Sequence, residues 1–415
     1  MSDSPLSENR TSTASRRSVL KGLTGLAAGA LAGTTLAAPA PRTTASPFVL
    51  GVLLPSQTTS AAASRHFRQG LELAVNTGTP GTPQVRVLET YLGTRLSEVP
   101  GAALALVDQG VNALVALGDG LAGLLAPLAE ARRVPLIAAE VGVHMPRLAA
   151  RQQYVYRASL NHWQAQWAHG AVLARTAGHV HLLMSSLEAG HDLPYAFIAG
   201  FQAAGGQTLS SSFLDTAAGG LDLQAAVQRV LAERPDAVHV LAQDDLTAAF
   251  ARAYAASTVA SSTLRPALSV GSLNAPVGLG TAVSWAASWH TGLRHQASSA
   301  FEQAYRHQYR AAPDALAALG HETGQWLMQA LNTAPEASGT GWTAGLSGAG
   351  FSGARGAVTV DAGSHSTSAG LLLGRSGALG GPSLQVLIPP PGRHPALTAL
   401  LHSPRSGWLN PYLHG

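Results

Sequence analysis

Residues 112–142 constrain this chain more than any other stretch. Ala113–Leu117 is an unbroken apolar run, and Gly118-Asp-Gly-Leu-Ala-Gly123 is a glycine turn. A helical stretch follows to Arg133, and Val134-Pro-Leu-Ile-Ala-Ala-Glu140 reads as a second strand. Strand, helix and strand in about thirty residues make a βαβ unit, which demands a right-handed crossover and a parallel sheet. The turn fits G-x-G-x-x-G, and Glu140 closes the next strand about 20 residues on, which on pattern alone is a dinucleotide-binding fingerprint. The same geometry can hold a different small ligand. The free N–H groups of Gly120, Leu121 and Ala122 at a helix start suit any polar or anionic group.

The alternation extends along the chain. Phe48–Leu54 is a buried strand ending at Pro55, the polar turn from Ser56 leads to a helix over 64–76, and Gln84–Leu88 and 101–109 supply the next strand and helix. Tyr154–Arg157 is short and extended, and a long helix covers 161–176. A second set follows, with strands at 180–184, 208–214, 237–241 and 267–270 and helices at 193–204, 222–233 and 245–256. Later come a strand from Ala282, helices over 298–309 and 315–331, and strands at 356–360 and 369–373. Two α/β units in tandem are expected, each a doubly wound, mostly parallel sheet. In the strand order 2-1-3-4-5, the loops after the first and third strands flank a crevice where ligands bind. A complete βαβα stretch precedes the glycine turn, which argues against a nucleotide cofactor, since that turn normally sits in the first βα unit of its half.

The totals close off several chemistries. The 415 residues are 46% hydrophobic and only 12% charged, about half the usual ~25% charged share. The net charge is +4. The first forty residues carry Arg10, Arg16, Arg17 and Lys21 against Asp3 and Glu8, which leaves about +2 on the rest. No arginine cluster with interleaved aromatics is present, so nucleic acid is not an expected partner. There is no cysteine, which excludes disulfides and thiolate chemistry. Lys21 is the only lysine, so the chain beyond it can form no Schiff base and carries no phosphate-loop lysine.

Ser15-Arg-Arg-Ser-Val-Leu-Lys21, the apolar run to Leu36 and Ala37-Ala-Pro-Ala40 read as a twin-arginine export signal over residues 1–40. The run is too short and glycine-rich for a spanning helix, which needs about 20 residues. A linker is expected over 41–47 and an irregular tail over 389–415.

Enzyme motifs fall short. His321-Glu-Thr-Gly-Gln325 lacks the second histidine of a zinc helix and reads as the start of an amphipathic helix. Gly345-Leu-Ser-Gly-Ala349 fails the last position of a nucleophile elbow. Trp285, Trp289 and His290 form an aromatic cluster that reads as core packing, with a stacking wall for a ligand as the alternative. The 16 histidines show no metal spacing, and His162, His169 and His179 are expected at the surface.

The order of elements resembles the type I periplasmic ligand-binding fold, in the branch of the leucine/isoleucine/valine-binding proteins of ABC importers. The stretches that carry the resemblance are Phe48–Pro55 with Gln69–Asn76, Val111–Pro135, Tyr154–Arg157, Ala196–Gly206 with Arg234–Val240, and Phe301–Tyr309 with Ala317–Leu331. It implies two lobes joined by three hinge crossovers, lobe I from 48–157 plus 284–355 and lobe II from 158–283 plus 356–388. It further implies an exported monomer, periplasmic or otherwise extracytoplasmic, that captures a small polar solute by lobe closure. Its partners would be an ABC permease and, during export, the twin-arginine translocase, with no cofactor, no metal and no catalysis. The competing readings are an exported NAD(P)-dependent oxidoreductase and a sensor for a membrane receptor.

The resemblance also places a site. Where relatives carry a serine for the ligand carboxylate, this chain has Asp119, which would repel a carboxylate unless it caps its own helix. The family's small-x-Thr aligns with Glu140-Val141-Gly142, its tyrosine lies near Ala189, and an aromatic position aligns with Gln243. What replaces that pocket is acidic and amide-rich: Asp119, Glu140, Glu188, Gln243, Asp244 and Asn274 at strand ends, with His191 nearby. With the backbone at Gly120, Leu121 and Gly142 and the Ser56 turn, these form the expected ligand site. An amine, amide or polyol suits it better than a branched-chain amino acid.

Overall fold

The computed structural model describes residues 47–56, 60–76, 83–145, 152–214, 222–257, 266–274, 276, 279, 281–333, 340–348, 350–377, 382–388 and 395. The expected export signal, nearly all of the expected linker and nearly all of the expected tail lie outside them. The described residues all belong to one unit beginning at Ala45.

The first set of elements is β1 (Phe48–Leu54), α1 (Ala61–Asn76), β2 (Val85–Tyr91), α2 (Val99–Asp108), β3 (Ala113–Leu117), α3 (Leu121–Arg132), β4 (Leu136–Glu140) and β5 (Val155–Ser159). The second is α4 (His162–Leu173), β6 (His179–Met184), α5 (Ser186–Ala189), α6 (Leu193–Ala203), β7 (Thr208–Phe213), α7 (Leu223–Ala232), β8 (Ala237–Leu241), α8 (Asp244–Ala256), β9 (Ala267–Val270) and β10 (Val283–Ala287). The chain ends with α9 (Gln296–Tyr309), α10 (Ala315–Thr333), β11 (Phe351–Gly353), β12 (Gly356–Asp361), β13 (Ser366–Ala369), β14 (Leu371–Ser376) and β15 (Pro382–Ile388).

Two sheets result. One runs β11-β12-β13-β5-β4-β3-β1-β2 and the other β15-β14-β10-β9-β8-β6-β7. Each contains the 2-1-3-4-5 order in parallel, with antiparallel strands added late in the chain. Strand periodicity explains the layers. In β3, Ala113, Val115 and Leu117 join the core under α1 and α10, while Leu114 and Ala116 join the core under α2 and α3. In β8, Val238 and Val240 face the α7–α8 layer, and Ala237 and Leu241 face α4 and α6.

The chain passes between the sheets three times: after β5, after β10 and between β13 and β14. The expected lobe ranges misplace two segments. β10 pairs with β9 and β14, because its buried Val283, Trp285 and Ala287 extend the second sheet's core, so the chain leaves that sheet after 287. β12 and β13 stay in the first sheet. The expected single strand 369–373 is two strands in different sheets, divided at Gly370. The crossings are tied to one another. Ser159 N–H donates to Thr367 Oγ1 at 2.9 Å, Asn161 Nδ2 donates to Thr367 O at 2.9 Å, and Ser288 Oγ donates to Leu160 O.

Three side-chain expectations change. His162 and His169 are buried under α4 and His179 is half-buried, so none of them is a free surface ring. Trp285 and Trp289 are both buried but in different cores, with His290 stacked on Trp285 at 5.5 Å. His321 and Glu322 lie in the middle of α10 rather than at its start, and the Glu322 carboxylate accepts from Arg355 N and Nε, both at 2.8 Å.

Candidate functional site

The expected site residues all lie at the carboxyl ends of parallel strands or on the loops and helix starts that follow: Ser56 after β1, Asp119, Gly120 and Leu121 after β3, and Glu140 and Gly142 at the end of β4. On the second sheet they are Glu188 and His191 after β6, Gln243 after β8 and Asn274 after β9. The carboxyl ends of the two sheets meet. Asp192, which precedes α6, donates its N–H to Val143 O at 3.0 Å and accepts from Met145 N–H at 2.8 Å. Asn274 Oδ1 accepts from Ala315 N–H, at the start of α10, at 3.1 Å.

Asp119 does something neither expectation foresaw. Its carboxylate accepts three backbone N–H groups, from Val141 at 3.1 Å, Gly142 at 2.8 Å and Val143 at 3.0 Å. It does not cap its own helix: the residue before α3 is Gly120, with φ +82° and no side-chain cap. Asp119 instead clamps the segment after β4. That segment can lie so close only because of Gly142, at φ +81°, where a Cβ would stand 2.7 Å from Ser159 Oγ and 2.8 Å from Asn161 N. Leu121 N–H turns back to Gly118 O at 3.4 Å, and its side chain is buried in the core.

The glycine turn also departs from a nucleotide fingerprint. Gly118 (φ +147°) and Gly120 need glycine's backbone freedom. The third glycine of the fingerprint serves close helix–strand packing, yet a Cβ on Gly123 would meet nothing within 4 Å.

Charged groups from both sheets gather around the clamped segment. Glu140 is 4.0 Å from Arg157 Nη1 with its side chain 15% exposed. Burial, then the Asp119 charge, push its carboxyl up to about 7, against the pull of Arg157 and His144. His144 lies 3.8 Å from Asp192, whose hydrogen bond raises the imidazole above its usual range. His144 and His191 meet edge to face at 5.4 Å, and His191 Nδ1 is 3.0 Å from Glu188 Oε2. Glu188 N–H and Gln243 Nε2 both donate to Ser185 Oγ, at 3.2 and 3.3 Å. Burial raises the Asp244 carboxyl above its usual range, against the pull of Asn274 and Ser272. Ser56, two residues after β1, accepts Ser60 N–H through its carbonyl.

The structure thus joins Asp119, Glu140 and Gly142 into one wall and Glu188, His191 and Gln243 into the facing one. Sequence reading missed His144, Arg157, His162 and Asp192. Arg157 is a single charge inside the short strand β5 and Asp192 a single acid just before α6, a weak signal in the sequence. A cavity of about 600 Å³ at the opposite end of the first sheet is lined by Tyr154, Tyr156, Thr340, Thr343 and His365 among others. It lies at the amino end of β5, away from these charges. No group of three or more histidine, aspartate or glutamate side chains arranged to hold a metal occurs among the described residues.

Residues 47–378 match the sequence family described as periplasmic binding protein. The chain belongs to that family. Solved structures agree with the fold. A solute-binding protein of an ABC transporter from R. palustris, in complex with benzoate, is 19% identical with TM-score 0.68, over 84% of this chain and 98% of that one. An ABC transporter substrate-binding protein from Sphaerobacter thermophilus is 19% identical with TM-score 0.70, over 83% and 98%. The branched-chain amino acid transporter substrate-binding protein LivJ from Streptococcus pneumoniae, in complex with isoleucine, is 18% identical with TM-score 0.63, over 82% and 100%. No functionally curated protein matches the sequence. The molecule is a type I periplasmic binding protein, α/β and two-lobed. No helix among the described residues is long and apolar enough to cross a membrane.

Proposed function

We propose that this protein is the exported solute-binding component of an ABC importer and captures a small polar solute, an amine, amide or amino-acid-like molecule, by closure of its lobes. The observation that carries this is the meeting of the two sheets' carboxyl ends, where Asp119 of one lobe and Asp192 of the other hold the single segment 141–145. A ligand bound there touches both lobes, so its binding energy favours the closed arrangement; a micromolar ligand supplies about 8 kcal/mol, ample to bias a hinge. The permease of an importer would read that closure. The twin-arginine leader supports export and an extracytoplasmic location. No observation of the site favours the oxidoreductase or sensor readings, and the spare room at Gly123 weighs against the first.

Two of the structures named above hold benzoate and isoleucine, each of which bears a carboxylate. Here the wall is acidic, and the position implied to hold a ligand carboxylate is an aspartate. A thermal-shift screen of a library of amines, amides, polyols, amino acids and aromatic acids tests the reading. Hits among amines or amides are expected, and Asp119→Ala together with Glu140→Ala should weaken them. Nicotinamide fluorescence from the purified protein, or the absence of any hit across the library, would overturn it. Unchanged affinity in both variants would move the site elsewhere.

A further inference from the structure

His162 opens α4 just after the first crossing between lobes, and its side chain is 4% exposed. Its Nε2 lies 3.1 Å from Gly271 O and 3.3 Å from the Gln166 amide. The other end of that amide is 3.1 Å from His239 Nε2, and His239 Nδ1 is 2.8 Å from Ser269 Oγ, which donates to Val238 O. This row fixes its own protons. A backbone carbonyl only accepts, so His162 Nε2 carries the hydrogen that goes to Gly271 O. The structure sets Gln166 Nε2 toward His162 and Oε1 toward His239; with His162 Nε2 donating to Gly271 O, the amide is assigned the exchanged orientation, its oxygen toward His162 and its NH2 toward His239 Nε2. His239 Nδ1–H donates to Ser269, and Ser269 donates to Val238 O. Every donor has an acceptor in this arrangement, the criterion by which amide orientation and histidine tautomer are assigned.

One atom is left over. His162 Nδ1 is buried and has no hydrogen-bond partner among the described residues. With the proton on Nε2, Nδ1 is a bare acceptor. Burial holds the ring below the usual imidazole range, so it stays neutral despite Glu188 and Asp119. His162 N–H donates to Val141 O at 3.1 Å and Trp163 N–H to Gly142 O at 2.9 Å, which seats the start of α4 against the segment that Asp119 clamps. The free acceptor and the acidic walls therefore share one basin. A buried polar atom without a partner costs about 1–3 kcal/mol, and a donor-bearing ligand removes that cost.

We propose that His162 is a solute-binding residue at the floor of the cleft, its Nδ1 accepting from an amino or ammonium group, and that the solute is an organic cation whose charge is met by Asp119 and Glu188. This rests on the solute-binding reading and deepens it. Asp119, Glu188 and His162 Nδ1 all accept, and a carboxylate beside them would bring one acceptor more. The chain beyond Lys21 has no lysine to receive a carboxylate, and the cations nearby already face acids, Arg157 beside Glu140 and His144 beside Asp192.

Two substitutions separate the ring's nitrogens. His162→Gln can keep a donor to Gly271 O while leaving nothing at Nδ1, and His162→Asn keeps an amide at the Nδ1 position. Titration calorimetry uses putrescine, ethanolamine and benzylamine as amine probes, with benzoate and 4-methylpentanoate, which carry no amino group, as carboxylate probes. At least one amine should bind the unmodified protein, His162→Gln should weaken it about tenfold or more, as expected for a hydrogen bond to a charged group, and His162→Asn should weaken it less. In the unmodified protein the His162 Nδ1 nitrogen resonance should move on amine addition, a readout that does not depend on a variant folding. An amine that binds His162→Gln as tightly and leaves that resonance in place overturns the role of His162. Binding of benzoate or 4-methylpentanoate with no amine binding overturns the cation and leaves the solute-binding reading standing. Silence from all five probes also overturns the inference, while the solute-binding reading falls only if the whole library is silent too.

Discussion

At the scale of the residue, Asp119 shows how a site position can be visible while its work is not. The sequence places an acid in a glycine turn between two strands, and both obvious roles follow from local rules: helix cap or ligand contact. The observed role depends on Val141–Val143, more than twenty residues away, whose N–H groups point at it only once β3 and β4 are paired. Nothing local in the sequence encodes that. Asp119→Ala should leave three N–H groups without their acceptor and lower stability by about 2 kcal/mol. Amide exchange at Val141–Val143 should accelerate while Ala113–Leu117 stays protected; equal protection in the variant would show that the clamp does not hold the segment. His162 escaped for a related reason. A histidine at a helix start in a lysine-poor chain reads as a surface ring, and only the packing of α4 against β8 and β9 buries it.

At the scale of the element, most of the fold was legible, because buried parallel strands are short apolar runs between helices of clear periodicity. β1, β3, β8 and β9 have the bounds expected from sequence. The failures come where one apolar run serves two sheets, as at Gly370, or where pairing alone defines a strand, as in three-residue β11. The helix contacts were not legible either, though glycine spacing carries them. α1 crosses α10 at Gly70 and Gly320, where a Cβ would lie 2.0 Å from Ala317 O and Phe67 O. α4 crosses α6 at Gly170 and Gly200, where the distances are 2.2 Å to Phe197 O and 1.9 Å to Trp167 O. Each lobe thus has one helix pair held at backbone contact. Gly200→Ala and Gly320→Ala should each cost about 1–3 kcal/mol or more, because backbone cannot yield as a flexible side chain does. Gly123→Ala, inside α3 with open space around it, should raise stability by up to about 1 kcal/mol. Denaturant melts of the three variants check the contrast, and a destabilised Gly123→Ala would mean the turn needs that glycine after all.

At the scale of the whole molecule, two properties follow from what is buried and where. The first is acid sensitivity. Burial pulls His169 and His321 down to about 4 and lowers His162 and His239 as well. Between about pH 6.5 and 4 the unfolded chain binds protons that these folded rings refuse, so stability falls as pH falls. Glu140, raised to about 7, and His144, also raised, act in the opposite sense. Asp244, raised by burial, acts with Glu140 and His144, and the four lowered rings outnumber these three, so melting should decline as pH falls from about 6.5 toward 4. A flat profile down to pH 5 would show that the rings are hydrated.

The second property concerns how the lobes are joined. Besides its three covalent crossings the molecule has a non-covalent one, segment 141–145, gripped by Asp119 from the first lobe and Asp192 from the second. Asp192 is buried, and it holds Met145 N–H through its side chain and Val143 O through its backbone. Met145 in turn packs into the second lobe's core. Closure must therefore move this segment with the second lobe or stretch the Asp119 clamp. Asp192→Ala removes the side-chain grip but leaves the backbone bond, so stability should drop by about 1–3 kcal/mol without loss of the fold. If the segment restrains the hinge, the unliganded variant should sample more open arrangements, with a larger radius of gyration by small-angle scattering. It should also bind solute more weakly, because binding must then offset a larger opening. A variant that loses stability yet keeps the radius and the affinity would confine the restraint to the three covalent crossings.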